Sequence, residues 1–227
     1  IPLSEGAQRR PLHGPPPCST LHSSTLNQKG CCFMRTPVFT GSCPALATPF
    51  DQNGNINYDA FGKLIDAQIA AGVDAVCVCG TTGESATMSI REHIAAVEFC
   101  VKRVDHRVKV IAGTGSNDTS AAVYLSQHAQ DSGADALLLV TPYYNKATPE
   151  GLLAHYSAVA GAVHIPVIAY NVPSRTGVNI EPDTYRILAD HENICGIKEA
   201  NGNLSKIVGI ICHRCKEIKS LDHCQII

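Results

Sequence analysis

From Val38 onward, short apolar runs alternate with longer stretches whose apolar positions recur at helical spacing. The apolar runs Thr40 to Ala47, Ala75 to Cys79, Val108 to Ala112, Ala136 to Val140, Val167 to Tyr170 and Ile194 to Ile197 predict strands. Between them, Tyr58 to Ala71, Ile90 to Val104, Thr119 to Ser132, Pro149 to Ala162 and Pro182 to Ala189 predict amphipathic helices. Gly72 and Gly133 stand where helix C-caps belong. Strictly alternating β and α units imply a parallel sheet, either closed as a (β/α)8 barrel or open and doubly wound. Residues 1–33, with the run Pro15-Pro16-Pro17 and clusters of Ser and Thr, follow neither period. They read as a disordered or non-native leader, with Met34 a plausible natural start.

Polar groups concentrate just after the predicted strands: Gly80-Thr81-Thr82-Gly83-Glu84, Gly113-Thr114-Gly115, Thr141-Pro142-Tyr143-Tyr144-Asn145, Tyr170-Asn171-Val172-Pro173-Ser174-Arg175 and Lys198-Glu199. In a barrel all those ends converge on one face, whereas an open sheet concentrates them at a single switch point. The barrel is therefore the expected fold.

Lys198 closes the nearly uncharged run Asn193 to Ile197. A lysine desolvated at a strand end offers a neutral amine that attacks carbonyls to form an imine. The competing reading is a strand-end lysine whose head reaches water. Tyr170, directly after Val167-Ile168-Ala169, points into the barrel mouth, where a phenol relays protons. Arg175 supplies a planar fork for a carboxylate, or else a surface ion pair. Thr81 and Thr82 lie in a loop whose N–H and hydroxyl groups suit a small carboxylate, or cap the next helix. The loop lacks the lysine of a P-loop and no GxGxxG follows a strand, which argues against a nucleotide cofactor.

Composition narrows the classes further. A 227-residue chain that is 44% hydrophobic and 17% charged is ample for one globular domain. A net charge of -2 offers no footprint for nucleic acid, and no apolar run is long enough to span a bilayer. The eleven cysteines are scattered through strand-like runs (Cys77, Cys79, Cys195) rather than framing loops. They read as reduced core thiols of a cytoplasmic protein. Cys212 and Cys215, with His213, His223 and Cys224 nearby, fit no familiar zinc spacing, so no metal is expected.

Four motifs, GTTGES at Gly80–Ser85, VTPYYNK at Val140–Lys146, YNVPSRTG at Tyr170–Gly177 and GIKEANGNL at Gly196–Leu204, occur in one order and spacing. Together they resemble the dihydrodipicolinate synthase family from about Val38 to about Cys215. The resemblance implies that Lys198 forms a Schiff base with pyruvate and that Tyr170, Thr82 and Tyr144 relay protons, Tyr144 reaching into a neighbouring subunit's site. It implies that Thr81 and Thr82 hold the pyruvate carboxylate and that Arg175 binds aspartate semialdehyde. It further implies a homotetramer of tight dimers, no metal or organic cofactor, and a product entering the diaminopimelate route to lysine. N-acetylneuraminate lyase-like aldolases share the lysine and the tyrosine; the pair Thr81-Thr82 and the Arg175 motif favour the synthase. Asn117 and His93 fall where lysine-sensitive members hold the effector, but Ala121 replaces an acidic partner, so lysine inhibition is expected to be weak or absent. The family continues through two further βα units. Residues 34–215 are thus expected to form a C-terminally truncated barrel of six to seven units, followed by a divergent tail, 216–227, and an inactive fragment is the contrasting outcome.

Overall fold

The computed structural model describes residues 37–216 and 225–226, with side chains as far as Ile211. The expected leader, most of the expected tail and the side chains of Cys212, His213, Cys215, His223 and Cys224 lie outside the described residues.

Six parallel strands form one sheet: β1 (Ala75–Val78), β2 (Lys109–Gly113), β3 (Ala136–Val140), β4 (Val167–Asn171), β5 (Ile194–Glu199) and β6 (Gln225–Ile226). Their order across the sheet is their order in sequence, the wall of a barrel. A doubly wound sheet reverses its order at a switch point and is excluded. The helices are α1 (Tyr58–Ala70), α2 (Ile90–Val104), α3 (Thr119–Asp131), α4 (Pro149–Gly161), α5 (Pro173–Thr176), α6 (Pro182–Leu188) and α7 (Leu204–Lys216).

Helix starts follow local chemistry. Asn57, Asp118 and Thr148 each accept a hydrogen bond from a first-turn N–H, and Ser89 with Glu92 forms a reciprocal capping box before α2. Gly72 and Gly133 adopt φ of +82° and +93° just past α1 and α3, the left-handed conformation that ends a helix cheaply only in glycine.

Alternation along the strands divides the core into two layers. Ala75, Cys77, Ile111, Ala136, Leu138, Ile168 and Tyr170 face the barrel interior together with Phe39 and Val172. Val76, Val78, Val110, Ala112, Leu137, Leu139, Val167, Ala169, Ile194 and Ile197 face the helices. Away from the strand ends both faces are apolar, as burial on both sides of a parallel sheet demands.

The expected strand Thr40 to Ala47 is instead an extended segment with a single parallel bridge, Ala45 to Cys77. Donors explain the difference. Leu46 N–H reaches the Cys77 carbonyl at 2.8 Å, but Pro44 has no N–H and Ser42 N–H is taken by Asp74 Oδ2 at 2.7 Å. α7 and the short α5 were not anticipated.

Two buried histidines couple this packing to pH. His93 on α2 places Nε2 2.7 Å from the Gly113 carbonyl, and His155 on α4 places Nδ1 2.9 Å from Thr119 Oγ1. Burial holds both below the ordinary histidine value of 6.5, outweighing the Gly113 hydrogen bond and the Asp118 charge respectively. The unfolded chain therefore binds these protons first, so stability is full above 6.5 and declines as pH falls towards the lowered folded values. Tm is expected to drop as the buffer goes below 6.5, before Asp51, Asp66, Glu92 and Glu181 protonate; these carboxylates are held below their ordinary 3.8 or 4.5 by hydrogen bonds. Thermal scans of a His93→Gln, His155→Gln double variant with the same pH slope as the parent would contradict this.

Candidate active site

Strand ends place the candidate residues. β4 and β5 run in register with Tyr170 opposite Lys198. Both side chains face the barrel interior, and Lys198 Nζ lies 4.3 Å from the centre of the Tyr170 ring. Tyr170 is buried and Lys198 is half-buried. Among the described residues no carboxylate forms an ion pair with Lys198, so no partner stands between its amine and an incoming carbonyl.

Two thiols, Cys43 and Cys77, lie near enough to that amine to feel its charge. Burial first, and the neighbouring Cys77 second, push Cys43 up to about 12 against the opposing charge of Lys198. Burial likewise pushes Cys77 up to about 11, again against Lys198, and Cys79 up to about 12. Thiols held protonated are poor nucleophiles, which leaves the amine without a competitor for the same electrophile. Cys43, Cys77, Cys79 and Cys100 carry free thiols.

The loop after β1 is a tight double turn. Thr81–Gly83 and Ser85–Thr87 are single 3-10 turns, preceded by left-handed Cys79 (φ 52°) and joined by left-handed Glu84 (φ 60°). Non-glycine residues hold such φ values only where surrounding structure enforces them. Here Thr48 Oγ1 donates to the Gly83 carbonyl at 2.8 Å, a contact that sequence reasoning missed because Thr48 lies 35 residues away. Gly113, at the end of β2, packs directly on the Cys79 carbonyl, leaving no space for a Cβ. Gly113→Ala is expected to cost about 1–3 kcal/mol through this overpacking. A Tm equal to the parent's would show that the turn is not wedged in this way.

Above the strand ends lies a cleft of about 860 Å³. Thr81, Tyr144 and Arg175 line it, with His93, Ala121 and Lys146. Lys198, Tyr170 and Thr82 do not form its walls; Thr82 lies exposed in the turn beside Thr81. Val140 and Val172 connect the two groups, since both pack against the interior layer that contains Tyr170 and both line the cleft. Tyr144 is 87% exposed and takes a left-handed φ of 78°, its N–H bonded to the Thr176 carbonyl at 3.4 Å. Arg175 is exposed on α5, whose start is set by Pro173 at the first turn.

No helix among the described residues is long and apolar enough to cross a membrane, and no described group of His, Cys, Asp and Glu has the arrangement of a metal site.

A parallel barrel wall with an amine and a phenol paired inside its C-terminal mouth defines an α/β barrel protein of the lysine-bearing kind. Comparison with known proteins specifies it further: residues 38–221 match the sequence model of the Dihydrodipicolinate synthetase family, and the chain belongs to that family. The chain is 54% identical over 178 residues to 4-hydroxy-tetrahydrodipicolinate synthase of Acetivibrio thermocellus, covering 78% of this chain and 61% of the relative. The crystal structure of dihydrodipicolinate synthase from Aquifex aeolicus superposes with a TM-score of 0.78 at 46% identity, over 83% of this chain and 62% of that one. The dihydrodipicolinate synthase of Acinetobacter baumannii, solved in complex with pyruvate, gives a TM-score of 0.74 at 44% identity over 76% of this chain and 60% of that one. The chain thus spans about three-fifths of the length of the curated relatives it matches.

Proposed function

We propose that this chain condenses pyruvate with L-aspartate 4-semialdehyde to give 4-hydroxy-tetrahydrodipicolinate, through an imine on Lys198. The observation that carries this is the in-register pair inside the barrel mouth, with Lys198 Nζ 4.3 Å from the Tyr170 ring. The names of the relatives and the pyruvate complex of a similar structure support the choice of substrates.

In the proposed reaction, the Lys198 amine adds to the pyruvate carbonyl and water leaves, giving an imine. Loss of a methyl proton yields an enamine, whose carbon attacks the semialdehyde carbonyl; Tyr170, Thr82 and Tyr144 carry the protons. The semialdehyde amino group then displaces Lys198 from the former carbonyl carbon and closes the ring. Thr81 and Thr82 hold the pyruvate carboxylate, and Arg175, on the cleft wall, pairs with that of the semialdehyde. Amine, phenol and hydroxyl groups supply every step, so the chemistry requires neither a metal nor an organic cofactor. Exposure of Tyr144 on a strained backbone supports its use across a subunit interface in a homotetramer, and the pathway implies a cytoplasmic enzyme.

A coupled assay separates the substrate classes. Turnover is expected with pyruvate and aspartate semialdehyde, and none in the cleavage of N-acetylneuraminate; the opposite pattern would overturn the assignment.

Feedback is a second test of the cleft. His93 and Ala121 face it, with Asn117 exposed nearby, and Ala121 has no carboxylate for the ammonium of lysine. Loss of one charged hydrogen bond weakens binding by about 10–100-fold. Lysine is therefore expected to inhibit weakly or not at all in initial-rate assays, and potent inhibition at micromolar lysine would contradict this.

A further inference from the structure

The side to which Lys198 points depends on a defect in its strand. Val167 pairs with Ile194, but the next residue of β4, Ile168, pairs with Gly196, so Cys195 is an extra residue in a β-bulge. Ile194 and Ile197 are three apart, and both pack in the outer layer, which strict alternation forbids. Beyond the bulge, Lys198 faces inward opposite Tyr170 and Glu199 faces outward opposite Asn171. Were the bulge to anneal, Lys198 would share the face of Ile194 and turn away from the mouth.

Glu199 is gripped on the outer side by groups from three elements. Its Oε2 accepts from Tyr185 Oη on α6 at 2.9 Å and from Asn171 Nδ2 on β4 at 3.1 Å. Its Oε1 accepts from Asn171 Nδ2 at 3.0 Å and from Asn201 N–H, in the turn after β5, at 2.9 Å. Asn171 is itself fixed, since Oδ1 accepts from Ile180 N–H at 3.1 Å and Nδ2 also donates to Asn179 Oδ1 at 2.9 Å. The carboxylate belongs to the residue immediately after Lys198, so it fixes the strand at the point where register decides orientation.

We propose, on the reading of Lys198 as the imine-forming amine, that Glu199 is a positioning residue: with Asn171 and Tyr185 it locks β5 in the bulged register that aims Lys198 into the barrel. Slippage by one residue puts the charged Lys198 among the outer apolar layer and Glu199 inside, so the clamp and the apolar faces select the same register.

Two readouts on the full chain test it. The first is reductive methylation with formaldehyde and borohydride, mapped by peptide mass, with the exposed Lys63 and Lys102 as internal standards. Lys198, open at the barrel mouth, is expected to methylate in the parent, and in Glu199→Ala and Tyr185→Phe its rate falls relative to theirs as it turns into the outer apolar layer. The second is borohydride trapping with pyruvate. Its maximal rate is expected to fall about 100-fold in Glu199→Ala, as misplacement of a reacting group by an ångström does. It falls about tenfold in Tyr185→Phe, which removes a single hydroxyl from the carboxylate. Half-saturating pyruvate stays the same in both, and Glu199→Gln, which keeps one acceptor oxygen, lies between Glu199→Ala and the parent. Should Glu199→Ala lose its thermal transition, Tyr185→Phe decides. Methylation of Lys198 at the parent rate in a folded variant overturns the clamp. A parent chain that is not trapped by pyruvate, with variants that still show slower methylation of Lys198, supports the clamp and overturns the imine assignment instead.

Discussion

Lys198→Ala is expected to abolish pyruvate-dependent borohydride trapping and to lower condensation by on the order of 10⁴-fold, the scale on which covalent nucleophiles are lost. The physical basis is local. Lys198 Nζ is packed at 4.3 Å over an aromatic ring, near the protonated thiols of Cys43 and Cys77, and has no carboxylate ion pair among the described residues. No other described lysine combines these features with a place at the mouth: Lys109 and Lys206 are tied to Asp135 and Glu181. Lys198→Arg sharpens the test, because guanidinium keeps the positive charge but remains protonated and forms no imine. Equal loss in both variants identifies the amine as nucleophile; substantial activity in Lys198→Arg would reduce it to an electrostatic role. Far-UV circular dichroism and the thermal transition show whether either variant is folded.

Tyr170→Phe is expected to lower turnover by about 10²–10³-fold, within the range that general acid-base catalysis contributes. Phenylalanine fills the same buried space, 7% exposed in the parent, and keeps a ring beneath Lys198. Packing and the cation–π contact therefore survive while the phenol is lost. The imine is still expected to be trapped, but more slowly, so the ratio of trapping to turnover rises. Unchanged turnover would remove Tyr170 from the proton path, and loss of trapping equal to the loss of turnover would place its effect entirely on imine formation.

How much of this was legible in the chain depended on whether the determining chemistry was local. α1 to α4 begin at the predicted residues because Asn57, Ser89, Asp118 and Thr148 stand immediately before them, and each caps its helix through a residue two or three positions on. Apolar runs marked β1 to β5 because both faces of those strands are buried. The segment from Thr40 to Ala47 reads as a strand by composition, yet its donors are removed by Pro44 and by Asp74, the latter 32 residues from Ser42. α5 has four residues, too few to display a helical period.

The same distinction applies to the candidate site. Lys198, Tyr170, Thr81, Thr82, Tyr144 and Arg175 were legible because they follow strands, and strand ends in a barrel converge. Their division into an interior pair, Lys198 and Tyr170, a cleft-lining set, Thr81, Tyr144 and Arg175, and the exposed Thr82 was not, since the inward turn of Lys198 depends on the bulge at Cys195 and the rest on how the loops fold over the strand ends. Glu199 went unread for a similar reason. Asn171 and Tyr185, which hold its carboxylate, lie 28 and 14 residues away, and the pairing exists only once β4, β5 and α6 are assembled. Thr48, pinning the double turn from 35 residues away, is the third such case.

The most direct test of the central claim is reduction of the full chain with borohydride in the presence of pyruvate, followed by peptide mass mapping. The expected result is a single reduced pyruvate adduct on Lys198, absent without pyruvate and absent in Lys198→Ala. An adduct on another lysine, or none on this chain under conditions where a full-length relative is labelled, would contradict the account.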